Sequence, residues 1–419
     1  MTQTLEQPIT EDRHVPRRHF GANKPLPPAI VLGGGANALS VVRNIARLGA
    51  KAYVINEPDA FVRHSRFCEA IEVPGLIAGN EASAWGEFLL CQQASPLHGS
   101  ILLACSDAAI ECICNNREEL SQRYILDLSN PIAQRAMLNK LETYRLAVAA
   151  GVPTPRFWVA SSANELESLR GELVFPLIIK PRFSHVFEGK TGKKMIIANN
   201  FDEVASAISS VSASGTECVL MEMIPGPDDR LCSYFTYLDE HSRPLFHFTK
   251  RIIRRYPPVH GNACYHITDW VEGLPEIANR LFSHVGLRGL ANVEFKLDVR
   301  DGQYKLIECN ARFTASDCLV TQSGVNLAAF VYRRLAGIPE QPMEPWHRGL
   351  RLWDPIRDFQ AHLALRKSGQ STLWRWLISI MHRQTFPFFE LSDPAPALMR
   401  LTKPLRKSIA RWTGSGASR

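Results

Sequence analysis

The chain has 419 residues, of which 45% are hydrophobic and 21% charged. That is ordinary globular usage, and at roughly 100–200 residues per domain it implies two to four domains. Wholesale disorder, collagen and disulfide mini-protein classes are excluded, and no apolar run reaches the ~18 residues of a spanning helix. The N-terminal MTQTLEQPITEDRH carries acids and no apolar stretch, unlike a secretory signal. The ten cysteines include no C-x-x-C pair, so reduced thiols in a cytoplasmic protein are expected rather than zinc or disulfides.

Net charge is +7 and unevenly spread. Residues 341–419 hold 13 Lys/Arg against 5 Asp/Glu, a balance of +8, so the first 340 residues sum to 7 − 8 = −1. Basicity confined to one end does not make a nucleic-acid face of the whole protein, and no nucleic-acid partner is expected.

In chain order, residues 1–28 read as a flexible tail. Ala29–Leu32 then reads as a buried strand, Gly33–Gly35 as a tight turn, and Leu39, Val42, Ile45 and Ala46 as a helix face. With the strand Ala52–Ile55 this is a β-α-β opening of a Rossmann-like parallel sheet, over residues 29–125. The same turn, GGGANA, fits G-x-G-x-x-A with Glu57 about 20 residues on, which on paper is a dinucleotide fingerprint. An NAD-binding oxidoreductase is therefore an alternative reading. A second body of alternating strands and helices runs over 126–338. From 339 to 419 the composition shifts to a basic, Trp-rich helical region with five of the eight tryptophans. There Leu373, Trp376, Leu377 and Ile380 read as a buried stripe. The alternative to packing is an amphipathic helix on an anionic membrane.

The most specific stretch is GLANVEFKLDVRDGQYKLIECNARF. Residues two apart in a strand share a face, so Glu308 and Asn310 point the same way. A two-residue Asp301-Gly302 turn sets Glu294 opposite Cys309, on the other face. A three-residue loop over Arg300–Gly302, with its left-handed position at Gly302, sets Glu294 opposite Glu308. The second is expected, giving a Glu294/Glu308/Asn310 cluster of oxygen donors suited to Mg²⁺, with Mn²⁺ as the close alternative.

This segment resembles the metal strand of ATP-grasp enzymes, E-x-N-x-R, with NVEF as its partner. Four further parts of that family occur in order. Lys140 precedes a helix that ends in GVPTP. Lys180 ends the strand FPLIIKP. The loop RFSHVFEGKTGKK carries Lys190, and VLMEMIPGPDD resembles the adenine-docking hinge. The resemblance covers roughly residues 29–338. It implies an ATP-grasp fold, α/β and α+β, behind an N-terminal preATP-grasp domain, with a lid at about 151–225.

It also implies roles. Lys140, Lys180 and Lys190 would hold the ATP phosphates. Backbone groups of Glu222 and Ile224 would pair with the adenine edge beside Met223, and Asp228 or Asp229 would bond the ribose. Arg312, with Lys180, would meet the transferring phosphoryl. Arg254, Arg255 and Gly261, in KRIIRRYPPVHG, resemble the substrate-carboxylate region of amino-acid-using members. Because neighbouring strand residues face opposite ways, only one of the two arginines can enter the site. The layout is similar to predicted carboxylate–amine ligases related to D-aspartate ligase. The implied reaction joins a small carboxylate to an amine through an acyl phosphate, with ADP and phosphate released and a homodimer possible. A non-catalytic nucleotide-binding module is the remaining class, and the intact Lys180, Glu294, Glu308 and Asn310 speak against it.

Overall fold

The computed structural model describes residues 25–160, 162–181, 195–212, 218–339, 343 and 345–402. Lys190 and the rest of its loop lie outside the described residues, as do most of the N-terminal tail and the last 17 residues.

The N-terminal sheet contains β1 (Ala29–Leu32), β2 (Ala52–Ile55), β3 (Glu69–Ile71) and β4 (Ile101–Ala104), in the order β3-β2-β1-β4 and all parallel. Every residue of β1 is buried, as a strand covered on both faces requires. Between β1 and β2 the chain turns through Gly33 and Gly34, at φ +69° and +86°, where a side chain is strained.

A second, four-stranded sheet is built from β5 (Phe157–Val159), β6 (Leu177–Pro181), β7 (Ile196–Ala198) and β8 (Cys218–Glu222), ordered β5-β8-β6-β7 and antiparallel. The third sheet is the floor of the molecule. It holds β9 (Leu231–Leu238), β10 (Phe248–Tyr256), β11 (Asn262–Thr268), β12 (Gly289–Leu297), β13 (Tyr304–Asn310), β14 (Arg351–Trp353) and β15 (Gln384–Thr385), ordered β13-β12-β9-β10-β11-β14-β15.

Two features depart from the sequence reading. The C-terminal region is not only helical, because β14 and β15 extend the floor sheet beyond β11. The helix Leu373–Ile380 has no buried residue, and Leu373 and Leu377 are exposed, so the expected buried stripe is absent. Its inward contacts are made by Trp376 and Ser379 instead.

The chain boundary near residue 125 is not a boundary in packing. One core joins Val41, Val42 and Ile45 of the first helix to Leu327, Val331 and Tyr332 of the helix Leu327–Leu335, and to Phe235 and Phe248 of the floor. The C-terminal segment closes the same unit. Buried Asp393, in LSDPAPAL, accepts from Arg43 Nε at 2.9 Å, Ser65 Oγ at 2.7 Å and the Arg66 N–H at 3.0 Å. A buried carboxylate is tolerable only with such a full set of donors.

Candidate active site

Glu294 lies directly opposite Glu308, and Asn292 opposite Asn310. The outcome is the expected one, but the route differs. At the turn Leu297 faces Tyr304, and the Asp298 N–H bonds the Gln303 carbonyl at 2.9 Å, leaving a four-residue loop closed by Gly302 at φ +70°. That register would put Glu294 opposite Ile307. A β-bulge between Glu294 and Phe295 adds the missing step. Tyr144 pins it, donating its hydroxyl to the Ile307 carbonyl at 2.8 Å.

Two lysines converge on this face. Asn139 ends the helix Pro131–Leu138, and its side chain caps the helix Lys140–Ala149 by accepting from the Glu142 N–H at 3.3 Å, which fixes Lys140 in the first turn. Lys140 Nζ lies 4.0 Å from Glu308 Oε1. Lys180, in the second sheet, is almost fully buried. Burial and then the charge of Lys140 push its ammonium down to about 8, against the opposing pull of Glu308 and Glu294. Burial also raises the Glu294 carboxyl, with Lys250 pulling it down and Glu308 pushing it up. Two facing carboxylates beside a carboxamide form an all-oxygen set that a hard divalent cation neutralises. Among the described residues no group of three His, Cys, Asp or Glu is arranged for a metal, and Asn310 lies two residues beyond Glu308 on the same strand.

A cavity of about 190 Å³ opens beside Lys180, walled by Ile178, Met221, Met223, Ile224 and Ile307, with Arg255 and Lys296 on its polar side. The hinge backbone along it is partly engaged. The Glu222 N–H donates to the Arg156 carbonyl at 2.9 Å and the Met223 N–H to Pro176 at 3.1 Å. Lys296 Nζ donates to the Ile224 carbonyl at 2.9 Å and the Gly226 carbonyl at 2.7 Å. The expected pairing of adenine with the Glu222 and Ile224 backbone is therefore narrowed, because the Glu222 donor is taken and one lone pair of the Ile224 carbonyl is engaged by Lys296. The Glu222 carboxylate bonds Arg156 and Arg300. Burial alone would raise it, and those two guanidinium groups hold it below the usual range.

The two arginines of β10 separate as their alternation requires. Arg255 faces the cavity and bonds Asp228 at 2.8 Å. Arg254 turns away. It donates to both oxygens of buried Asp358, at 2.6 and 2.9 Å, and to Ser379 Oγ at 2.9 Å. Arg254 is thus a structural anchor for the C-terminal helices, which corrects its assignment to substrate. Gly261 is also set by the fold. Its N–H bonds the Pro257 carbonyl at 2.7 Å, and a Cβ there would sit 2.0 Å from the Tyr256 carbonyl carbon. Of the two candidate ribose carboxylates, Asp228 accepts from Arg255 and from the Val259 N–H at 3.2 Å, and Val259 lines the cavity. Asp229 is mostly exposed beside Arg230.

Arg312 lies within electrostatic reach of Glu308 and donates to Asp107 at 2.6 Å, in the first turn of the helix that follows β4. The Gly-rich turn is filled by protein. Asn37 accepts from the Gly35 N–H at 2.9 Å and donates to the Cys105 and Phe313 carbonyls at 2.7 and 2.8 Å. The amide a dinucleotide phosphate would use is therefore already satisfied, which disfavours the NAD reading.

Several site-face residues were missed from sequence. Ser233 lies between Glu294 and Lys250 in one cross-strand row. Buried Lys250 contacts His266 Nδ1 at 3.3 Å. Burial, then Lys250, pushes the His266 imidazolium well down. Their signal was alternation from Glu294 across unlinked strands, which needs the strand order. Lys296 was legible, since it lies two residues beyond Glu294.

This architecture has known counterparts. The structure matches N5-carboxyaminoimidazole synthetase from Staphylococcus aureus in complex with ADP at TM-score 0.58 and 16% identity, over 77% of this chain and 80% of that one. It matches L-amino acid ligase from Bacillus licheniformis at TM-score 0.56 and 17% identity, over 75% of each. The model of the carbamoyl-phosphate synthase L chain ATP binding domain matches residues 268–339, which include β12 and β13.

The chain has the ATP-grasp fold.

By sequence it is similar to the D-aspartate ligase of Enterococcus faecium (strain Aus0004), 28% identical over 243 residues. That match spans 55% of this ATP-grasp chain and 57% of the relative, a little over half of each.

Proposed function

We propose that this ATP-grasp protein is an ATP-dependent ligase that joins a small carboxylate to an amine. The observation that carries the reading is the convergence of Lys140, Lys180, Glu294, Glu308 and Asn310 on one face beside an apolar cavity. The similarity to D-aspartate ligase supports the bond type.

ATP is a substrate, its adenine lying in the cavity among Met221, Met223 and Ile224 and its ribose at Asp228. Glu294, Glu308 and Asn310 would hold Mg²⁺, which when bound screens the phosphate charges and lowers the cost of the transfer. Lys140 and Lys180 hold the phosphate oxygens, and binding the polyanion offsets the burial that disfavours the Lys180 ammonium. A carboxylate oxygen attacks the γ-phosphorus, the bond to the β–γ bridging oxygen breaks, and ADP leaves with that electron pair. The amine nitrogen then attacks the acyl carbon, the carbon–oxygen bond to phosphate breaks, and inorganic phosphate leaves while the nitrogen loses a proton. Arg312, steadied by Asp107, meets the phosphoryl oxygens as charge builds. Arg255 is the cation for the incoming carboxylate. No protein nucleophile takes part.

The setting is proposed to be cytoplasmic. Nine of the ten cysteines are free, and no described helix is long and apolar enough to cross a membrane. The test is a screen of amino acids and polyamines for substrate-dependent release of ADP and phosphate. Release of AMP and pyrophosphate instead would move the protein to another ligase class.

A further inference from the structure

The helix Leu373–Ile380, LWRWLISI, is fastened to the body by one side only. Trp376 stacks on His362 at 5.1 Å and donates its Nε1 to Asp358 at 2.9 Å. The Ser379 carbonyl accepts from Tyr265 and from Arg351, each at 2.6 Å. At about 100° per residue, the opposite side carries Leu373, Leu377, Met381, Trp374 and Ile378, in that angular order, over an arc of roughly 140°. All five are exposed, Trp374 at 71% and Met381 at 77%. The neighbouring helix Pro355–Lys367 adds exposed Ile356, Phe359 and Leu363, and the Phe359 ring lies 5.6 Å from that of Trp376. So many large apolar side chains exposed together mark a surface that is covered in use.

Charge selects what covers it. From Pro355 to Arg383 the chain has five Lys/Arg and one acid, Asp358, which is buried and paired with Arg254. Arg375 borders the apolar arc, and Arg366, Lys367 and Arg383 are also exposed. A second copy docked face to face would set these cations against themselves. A nucleic acid would leave the apolar arc in water. An anionic bilayer satisfies both parts, taking the Trp and aliphatic side chains at the headgroup boundary and the arginines among its phosphates.

We propose that the outer face of Leu373–Ile380, with its basic border, docks the protein peripherally on an anionic lipid bilayer. This goes beyond the ligase reading and does not depend on it.

The test is co-sedimentation of the full chain with sucrose-loaded vesicles, equimolar phosphatidylcholine and phosphatidylglycerol against phosphatidylcholine alone. The protein is expected to pellet with the first, not the second, and to be released by high salt. Ile378→Glu and Arg375→Glu should each weaken binding by about tenfold or more. Both side chains are on the surface, so the circular-dichroism melt should stay as in the parent. On the parent chain, brominated lipid should quench emission, and Trp374→Phe should remove the quenched part, a readout independent of any charge variant. The proposal is overturned by absence of pelleting with anionic vesicles, by binding indifferent to phosphatidylglycerol and salt, or by full binding of Ile378→Glu. A dimer in light scattering that Ile378→Glu dissociates would also overturn it, in favour of a second copy.

Discussion

Arg254 and Arg255 are adjacent in β10 and are expected to fail in opposite ways. Arg254→Ala removes the cation from Asp358, whose side chain is 0% exposed. Breaking a buried pair from one side costs about 3–5 kcal/mol. The lower end is expected, because the Nε1 groups of Trp353 and Trp376 still donate to Asp358, both at 2.9 Å. Urea titration should therefore show a loss of about 3 kcal/mol, with the KM values of ATP and the carboxylate unchanged. Arg255→Ala acts on the site instead. Its partner Asp228 is mostly buried but lies against the cavity, so water and nucleotide can compensate the lost pair. Stability should change little. Losing one charge-assisted contact to a desolvated carboxylate costs about 2–5 kcal/mol, roughly thirtyfold to several-thousandfold in that substrate's KM. Steady-state kinetics with ATP and carboxylate varied separately, beside urea curves for both variants, decide the matter. A raised carboxylate KM in Arg254→Ala at full stability would refute the reasoning, as would a kinetically silent Arg255→Ala.

Three further outcomes are expected. Glu308→Gln should abolish ADP release while keeping or slightly raising the melting temperature, because it removes a cation ligand and also a like charge facing Glu294; turnover within a few-fold of the parent would remove Glu308 from the site. Lys180 has its ammonium lowered from 10.5 to about 8 by burial, so below pH 8 the folded state bears the cost of 10.5 − 8 units, on the order of 3 kcal/mol. Between pH 8 and 10.5 the unfolded chain binds the proton and the folded site does not, so this cost fades as pH rises. Lys180→Met should thus be more stable than the parent at pH 7 without nucleotide, and a urea series should show that gap closing across this window; a constant gap would contradict it. Mg²⁺-ATP should raise the melting temperature and NAD should not, since only a ligand of the native state shifts it; a shift with NAD alone would reverse the reading of the Gly-rich turn.

The sequence by itself determined the parts of this protein that are written in local periodicity. The β-α-β opening, the strand ending in Lys180 and the shared face of Glu308 and Asn310 all follow from alternation and turn chemistry within a few residues. That Arg254 and Arg255 divide between two faces follows in the same way. Tertiary structure alone decided which face is which, because the partner of Arg254 is Asp358, 104 residues away. It also decided how Glu294 meets Glu308. The loop is one residue longer than expected, and a bulge held by Tyr144, 163 residues before Ile307, restores the register. LSDPAPAL carried no readable role until Asp393 met Arg43 across 350 residues. The stripe on Leu373–Ile380 shows the limit most plainly. Helical spacing fixes that the residues share a side, but which side meets the body is set by Trp376 and Ser379 bonding Asp358 and Tyr265. Polar pairs between distant segments leave no periodic trace in the chain, so only the assembled fold reveals them.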